Sequence, residues 1–306
     1  MKKILSVTAL FAALVFQGCS SGPSVAGAPA NVKAYLVGNF DKAKSVEKKL
    51  KANGFEILAT TKVGKKKMPV IIFTSPAIKK LADRPMRGLL AGSMRIMVDK
   101  ERNVIKANNP MYFFKAFLQD QYKPGDEKST VTALLKAFPS LSTTVMGKDE
   151  DGEQVDTNSE NLEYDDIPDY HYIIGMPYYH DQNELGRGDS VAGLVKKIEK
   201  NAKKKKALVY TTKLSENRYV IGVHLSKRTS KFPKKIGEQN SLLLPWQILV
   251  EEIEEDGKKE AIATALDGKY RIALSYPQLS MVGAGSFAGI MSVPGALEDD
   301  LKKYCK

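Results

Sequence analysis

The same order of predicted secondary-structure elements occurs twice in this chain of 306 residues, and that duplication limits the folds open to it. Each copy is typical of a strand, an amphipathic helix, a β-hairpin, a short helix, a second hairpin and a closing helix. Short strings agree between the copies in the same order, which favours an internal duplication over chance similarity. The matched strings are Thr60–Lys62 with Thr211–Lys213, Lys79–Leu81 with Lys234–Ile236, Arg95–Val98 with Gln247–Val250, and Asn109–Pro110 with Tyr276–Pro277.

Hydrophobic periodicity and turn residues place the elements of both copies. In the first copy they are the strand Val32–Val37, the helix Asp41–Asn53, the strands Phe55–Lys62 and Val70–Thr74, the helix Ser75–Ala82, the strands Met94–Val98 and Val104–Ala107, and the helix Met111–Leu118. In the second copy they are the strand Tyr170–Met176, the helix Asp189–Ala202, the strands Ala207–Lys213 and Tyr219–Leu225, the helix Phe232–Gly237, the strands Pro245–Ile253 and Ala261–Leu274, and the helix Ser280–Met291.

Helices that alternate with hairpins predict an α+β fold of two related two-layer units, each with a mainly antiparallel sheet and helices on one face. Related units of this kind commonly pair about a twofold axis, so we expect a pseudo-twofold arrangement. The predicted organisation is a signal peptide over 1–18, a flexible tether over 19–31, a first α+β repeat over 32–122, a connector with a helix and an acidic linker over 123–169, and a second α+β repeat over 170–306.

The amino terminus predicts export and lipid attachment. Two lysines precede a short apolar stretch, Ile4–Phe16, which is too short to span a bilayer of about 30 Å and is typical of a signal peptide. The segment Phe16–Cys19 resembles a lipobox, in which Cys19 receives the lipid. An ordinary secretory signal is the alternative. Ser20 after the lipidated cysteine favours the periplasmic face of the outer membrane, with 20–30 as a spacer between lipid and folded domain.

Charge narrows the classes of partner. The chain has 47 Lys and Arg against 35 Asp and Glu, and removal of Lys2 and Lys3 with the signal peptide leaves 45 − 35 = +10 on the side chains. A basic surface in the cell envelope favours anionic lipid or small apolar ligands with an anionic group, and nucleic acid is not an expected partner. A surface merely solvated by lysines is the alternative. The sequence identifies no protein partner.

The connector differs from the rest of the chain in charge. The stretch Asp149–Asp169 contains ten acidic residues and no basic one. We interpret it as a solvated acidic linker that lies along the lysine-rich surface. A calcium loop at Asp149–Glu153 is the alternative, although the spaced ligands of a full loop are missing.

Several of these motifs together resemble the family known as domain of unknown function 302. The resemblance rests on the helix ending in Asn53-Gly54-Phe55, the Thr74-Ser75-Pro76-Ala77 helix start, the Arg95–Val98 strand and the Asn108–Tyr112 turn, and it covers Val32 to about Leu118. The second copy, about Tyr170 to Met291, is more divergent. The resemblance implies a compact two-layer α+β fold that tends to pair, and it implies no reaction. Some members carry a cysteine after the proline before the Arg95-type strand, whereas this chain has Gly92-Ser93 and Pro245-Trp246.

The turns before the closing helices are the candidate ligand site. Pro110 and Pro277 follow Asn109 and Tyr276 and open apolar helices, so the turns expose amides at helix starts. We expect these four residues, with Arg95, Tyr112 and Trp246, to line a pocket for an apolar ligand with an anionic group. The alternative is that proline and asparagine only cap the helix.

Weaker patterns concern catalysis and metal binding. His171, His180 and Asp181 are candidates for a metal site or an unrecognised catalytic centre, but their spacing matches no established zinc pattern. Gly186–Ser190 is interpreted as a turn with Asp189 or Ser190 as helix cap rather than an anion site. No cofactor is expected, and we favour a ligand- or surface-binding protein over an enzyme. A structural docking module in an envelope complex is a third hypothesis.

Overall fold

The computed structural model describes most of both predicted repeats. The described residues are 31–64, 66–84, 88–142, 146–148, 154–156, 161–165, 167–168, 182–226, 229, 232–268 and 287–306. Within them, the protein has an α+β fold with two five-stranded antiparallel sheets and a helical layer in each unit.

The first unit contains one of these sheets and the helices that pack on it. Its elements are β1 Asn31–Lys33, β2 Tyr35–Asn39, α1 Ala43–Ala52, β3 Glu56–Val63, β4 Met68–Thr74, α2 Pro76–Ala82, a 3-10 helix Gly88–Gly92, β5 Met94–Asp99, β6 Val104–Asn108, α3 Pro110–Leu118, a 3-10 helix Gln119–Gln121 and α4 Lys128–Ala137. The strand order in the sheet is β2-β6-β5-β4-β3. The predicted elements of the first copy are therefore confirmed, with ends within a few residues of those expected, except that the predicted strand Val32–Val37 is divided at Ala34 into β1 and β2.

Local signals explain why the helices of the first unit begin and end where they do. Ser75 caps α2 because its Oγ accepts a hydrogen bond from the Ile78 amide at 3.2 Å, and Pro76 occupies the first turn. Helix α1 ends beside Gly54, whose φ of +84° lies in the left-handed region that favours glycine.

Part of the predicted connector belongs to the first unit. It contains α4 and three short strands, which are β7 Met146–Lys148, β8 Gln154–Asp156 and β9 Asn161–Glu163. Strand β9 pairs with β1, and helix α4 packs against α1 and α3. Acidic and basic residues meet here, since Lys115 Nζ lies 3.5 Å from Asp165.

The second unit repeats the strand order of the first. Its elements are β10 Gln182–Gly188, α5 Val191–Lys204, β11 Leu208–Ser215, β12 Arg218–Val223, α6 Phe232–Ile236, a 3-10 helix Glu238–Leu243, β13 Trp246–Glu255, β14 Lys258–Leu266, a 3-10 helix Phe287–Ile290 and α7 Val293–Cys305. The sheet order is β10-β14-β13-β12-β11, which matches β2-β6-β5-β4-β3 strand for strand.

Two expectations for the second copy need correction. The strand that corresponds to β2 is Gln182–Gly188, which includes the glycines predicted as a turn; the predicted strand 170–176 lies outside the described residues. The closing helix was predicted at Ser280–Met291; most of that range lies outside the described residues, and its described end, Phe287–Ile290, is a 3-10 helix. Helix α7, which was not predicted, follows it and packs against α5 as α4 packs against α1. Its buried residues Leu297, Leu301 and Tyr304 follow a helical spacing that could have predicted it.

Alternating residues of the second sheet pack in two different cores. Ile221 and Ile248 pack with the residues of α5 and α7, in the core of their own unit. Their neighbours Val220 and Leu249 belong to the core that contains the residues of the first unit. Because successive strand residues point to opposite faces, one face of this sheet is covered by its helices and the other packs on the first unit.

Among the described residues, no helix is both long and apolar enough to cross a membrane.

Candidate functional site

The two units meet through equivalent residues. Arg95 lies opposite Ile72 in the β4–β5 pair, and Gln247 lies opposite Gly222 in the β12–β13 pair. The sequence match of Arg95 with Gln247 is therefore also a match in strand register, with Ile96 opposite Ile71 and Ile248 opposite Ile221 in the next pairs.

Contacts across the interface are reciprocal. Arg95 Nη2 donates a hydrogen bond to the Pro245 carbonyl at 3.4 Å, and Gln247 Nε2 donates one to Ser93 Oγ at 3.1 Å. Ser93 and Pro245 each lie two residues before the donor of the same unit, so the two contacts are related by a twofold exchange of units. The predicted pseudo-twofold arrangement is confirmed.

A small cavity lies at this interface. It is lined by Leu90, Ala91, Ser93, Met94, Arg95, Asn108, Phe113, Phe117, Leu243 and Gln247, and the space open to the centre of a water molecule is about 10 Å³. That volume accommodates about one water molecule. An apolar ligand such as a fatty acid would therefore require the two units to separate here.

Arg95 is the charged residue of the cavity and is only 2% exposed. Its backbone amide donates to Asn108 Oδ1 at 2.8 Å. Burial lowers the pKa of Arg95, and the nearby Tyr210 and Tyr35 side chains partly offset that effect. The guanidinium nevertheless stays charged at neutral pH, since arginine does not deprotonate in proteins.

The predicted pocket residues that the structure describes have different surroundings. Asn109 caps α3, because its Oδ1 accepts the Met111 amide at 3.2 Å while its Nδ2 donates to the Lys33 carbonyl at 2.7 Å. Trp246 is buried against Phe232 in the helix-covered core of the second unit, whereas Arg95 lines the cavity. Pro110 is the first residue of α3, and Tyr112 is buried within that helix. Asn109 and Pro110 therefore serve as the cap and first residue of α3, as the alternative interpretation of this turn predicts.

Strand register also changes the match for Asn109 and Pro110. Met97 lies opposite Lys106 and its equivalent Leu249 lies opposite Thr264, so three residues further Asn109 corresponds to Asp267. Gly268, the counterpart of Pro110, is likewise the first helical residue after the strand. The register therefore matches Asn109–Pro110 with Asp267–Gly268 and not with Tyr276–Pro277, which come nine residues later in the sequence. Tyr276 and Pro277 themselves lie outside the described residues.

Other predicted site residues also lie outside the described part of the chain. These are Cys19, His171, His180 and Asp181. In the part that is described, no group of three or more His, Cys, Asp or Glu side chains could hold a metal ion.

His224 links the two units, with Nε2 2.9 Å from Thr61 Oγ1, and burial lowers its pKa. Burial raises the pKa of the Cys305 thiol to about 12, so this side chain is an unreactive thiol at neutral pH.

The densest run of exposed lysines in the described chain lies on and after helix α5, where the sequence predicted only a general lysine-rich face. The apolar side of α5, with Leu194, Ile198 and Ala202, is buried in the second unit. The α5 lysine cluster is the set of exposed lysines on and directly after this helix, namely Lys196, Lys197, Lys200, Lys203, Lys204, Lys205 and Lys206.

One carboxylate lies within this stretch. Glu199 accepts a hydrogen bond from Thr211 Oγ1 at 2.6 Å and lies 3.7 Å from Lys203 Nζ. The carbonyl end of a helix also favours positive charge, which suits lysines at the last turn of α5. The cluster therefore forms a cationic surface on the exposed side of α5.

No family model matches the chain, and no curated protein matches it. The resemblance to the domain of unknown function 302 stays a prediction.

Proposed function

We propose that this protein is a lipid-anchored cell-envelope protein that binds the anionic membrane surface beside it through the α5 lysine cluster. The anchor is Cys19, and the proposed site is the periplasmic face of the outer membrane. The observation that carries the proposal is the concentration of seven exposed lysines between residues 196 and 206 with a single carboxylate among them.

Electrostatics favours this surface as the binding element. A lysine close to an anionic membrane surface contributes about 1 kcal/mol, and the attraction decays over a Debye length of about 8 Å at physiological ionic strength. Such a surface acts only when the protein is held close to the lipid. A lipid at Cys19 with a short spacer would hold the folded domain near the membrane and raise its effective concentration there.

Binding is favoured over catalysis by what the described polar residues do. Asn109 caps a helix, His224 bonds to Thr61 across the interface, and the cavity beside Arg95 has room for about one water molecule. Asn109 and His224 each have a structural contact that accounts for their position.

Vesicle sedimentation of the Cys19→Ser protein tests the proposal. We expect binding to phosphatidylethanolamine vesicles that contain phosphatidylglycerol, weak binding to phosphatidylcholine vesicles, and loss of binding as salt is raised. Replacement of Lys203, Lys204, Lys205 and Lys206 by glutamine should reduce affinity by about 100-fold or more, from about 1 kcal/mol per lysine.

The matched control removes the same charge from helix α1. Lys42, Lys44, Lys48 and Lys51 are exposed and lie on or beside that helix, and their replacement by glutamine should change the affinity far less. Equal losses in both variants would assign binding to net charge alone, and equal binding to neutral and anionic vesicles would contradict the proposal.

A further inference from the structure

Arg95 differs from the other described arginines in having no carboxylate partner. Each of the other four forms ion pairs with acidic side chains. The pairs are Arg84 with Asp126, Arg102 with Asp99, Arg187 with Glu184, Glu255 and Glu260, and Arg218 with Asp83 and Glu251. Among the described residues, the guanidinium of Arg95 makes one hydrogen bond, to the Pro245 carbonyl at 3.4 Å. A buried charge is costly unless it is paired, so this site calls for a negative charge.

The interface cavity presents two hydrogen-bond donors without a protein acceptor in the described chain. They are Arg95 Nε and Asn108 Nδ2, both buried. The orientation of the Asn108 amide is set by its Oδ1, which accepts the Arg95 backbone amide at 2.8 Å. The two groups that remain to be satisfied are therefore both donors, and they line the same cavity.

These donors suit an anion better than a water molecule. A water that accepted both hydrogen bonds would still have two protons to donate. Of the other lining residues, Ser93 and Gln247 are polar, and the Ser93 hydroxyl is already bonded to Gln247 and Tyr210. The remaining lining side chains are apolar, namely Leu90, Ala91, Met94, Phe113, Phe117 and Leu243. A monatomic anion accepts hydrogen bonds, donates none and neutralises the guanidinium. The cavity of about 10 Å³ matches a particle close to the size of water, and it is too small for phosphate, sulfate or a carboxylate-bearing lipid.

We propose that this cavity is a binding site for one halide ion, chloride in the cell, held by Arg95 Nε and Asn108 Nδ2 at the interface of the two units. The site is independent of the α5 lysine cluster. The twofold-related position has no equivalent arginine, because the second unit has the neutral Gln247 where the first has Arg95. Halide binding would stabilise the pairing of the units, since both contribute to the wall of the cavity.

Thermal unfolding in sodium chloride and sodium gluconate at equal ionic strength tests the site. A ligand that binds only the folded state raises the melting temperature with a saturable dependence on its concentration. We expect chloride to raise it by about 2 to 4 °C relative to gluconate, which corresponds to modest saturation in a protein of this size. Arg95→Gln should abolish the difference, and glutamine is already accommodated at this position in the second unit.

Arg218→Gln is the matched control. Arg218 also bridges the units, since its Nη1 donates to the Arg84 carbonyl at 2.7 Å, but it is paired with Glu251. This variant should melt at a lower temperature and keep the chloride response. A chloride response that persists in Arg95→Gln, or no chloride response in the protein with Arg95 intact, would overturn the proposal.

Crystals grown in bromide provide a second test that does not depend on a variant. An anomalous peak within hydrogen-bonding distance of Arg95 Nε and Asn108 Nδ2 supports the site. An ordered water there, without anomalous signal, overturns it.

Discussion

Lys106 is a buried amine on strand β6 and lies 4.5 Å above the ring of Tyr35. Burial lowers its pKa to about 8; nearby Arg102 lowers it further, and Asp99 partly offsets this. The unfolded chain holds a lysine proton up to about pH 10.5, so between pH 8 and 10.5 the unfolded state binds more protons than the folded state. The contribution of Lys106 to stability therefore rises with pH across that window, and below it the buried charge is a constant penalty.

Lys106→Met should remove this penalty while keeping the apolar stem of the side chain. We expect the variant to be more stable than the parent at pH 7 by about 1 to 3 kcal/mol, measured by urea unfolding. The difference should shrink as pH rises from 8 to 10.5. A variant that is equally or less stable at pH 7 would show that the contact with Tyr35 outweighs the desolvation of the amine.

At the scale of the elements, the packing of the Tyr210 ring across strand β12 requires glycine at position 222. Tyr210 of β11 lies across from Gly222, and a Cβ added to Gly222 would lie 2.1 Å from the Tyr210 ring. The ring passes over the strand to place the Tyr210 hydroxyl 2.8 Å from Ser93 Oγ of the first unit. The missing side chain of Gly222 therefore permits a hydrogen bond between the units.

Gly222→Ala should displace Tyr210 and break that hydrogen bond. We expect a loss of about 2 to 4 kcal/mol in unfolding free energy, from overpacking together with an unsatisfied buried hydroxyl. Gly295→Ala in α7 is the control, because a Cβ there meets nothing within 4 Å, and it should be neutral or stabilising by up to about 1 kcal/mol. Comparable losses in both variants would contradict the role assigned to Gly222.

Hydrophobic periodicity is sufficient to predict the elements that bury their own apolar side chains at regular spacing. Helix α5, with buried residues at helical spacing, and the apolar strands β4, β5, β12 and β13 were predicted because burial of their side chains determines them. Strand β10 has one buried residue, Leu185, and two glycines, so its position is set by pairing with β14. A partner distant in sequence is not visible in local periodicity.

The candidate sites were harder to predict for a related reason. The equivalence of Arg95 and Gln247 was visible in the sequence, and strand register confirms it. The size of the cavity depends on side chains from both units, which no local pattern specifies. The α5 lysine cluster could have been recognised from the run Lys203–Lys206 directly after an amphipathic helix, which is typical of a surface that binds anionic membranes.

At the scale of the whole molecule, the two units share a topology and differ in charge. The interface keeps reciprocal contacts at Arg95 and Gln247, and the α5 lysine cluster gives the second unit a surface more cationic than that of α1 in the first. The account proposes two attachments to one membrane, a lipid at Cys19 and an electrostatic contact at α5. These attachments differ in their response to salt, because screening weakens the contact between charges and leaves the lipid in the bilayer.

Fractionation of cells that produce the parent protein or Cys19→Ser, with washes at low and high salt, tests both attachments together. The account predicts that the parent protein stays with the membrane in both washes. Cys19→Ser should stay partly bound at low salt and be released at high salt, and Cys19→Ser combined with glutamine at Lys203, Lys204, Lys205 and Lys206 should be released in both. Retention of Cys19→Ser after the high-salt wash, or release of the parent protein by that wash, would contradict it.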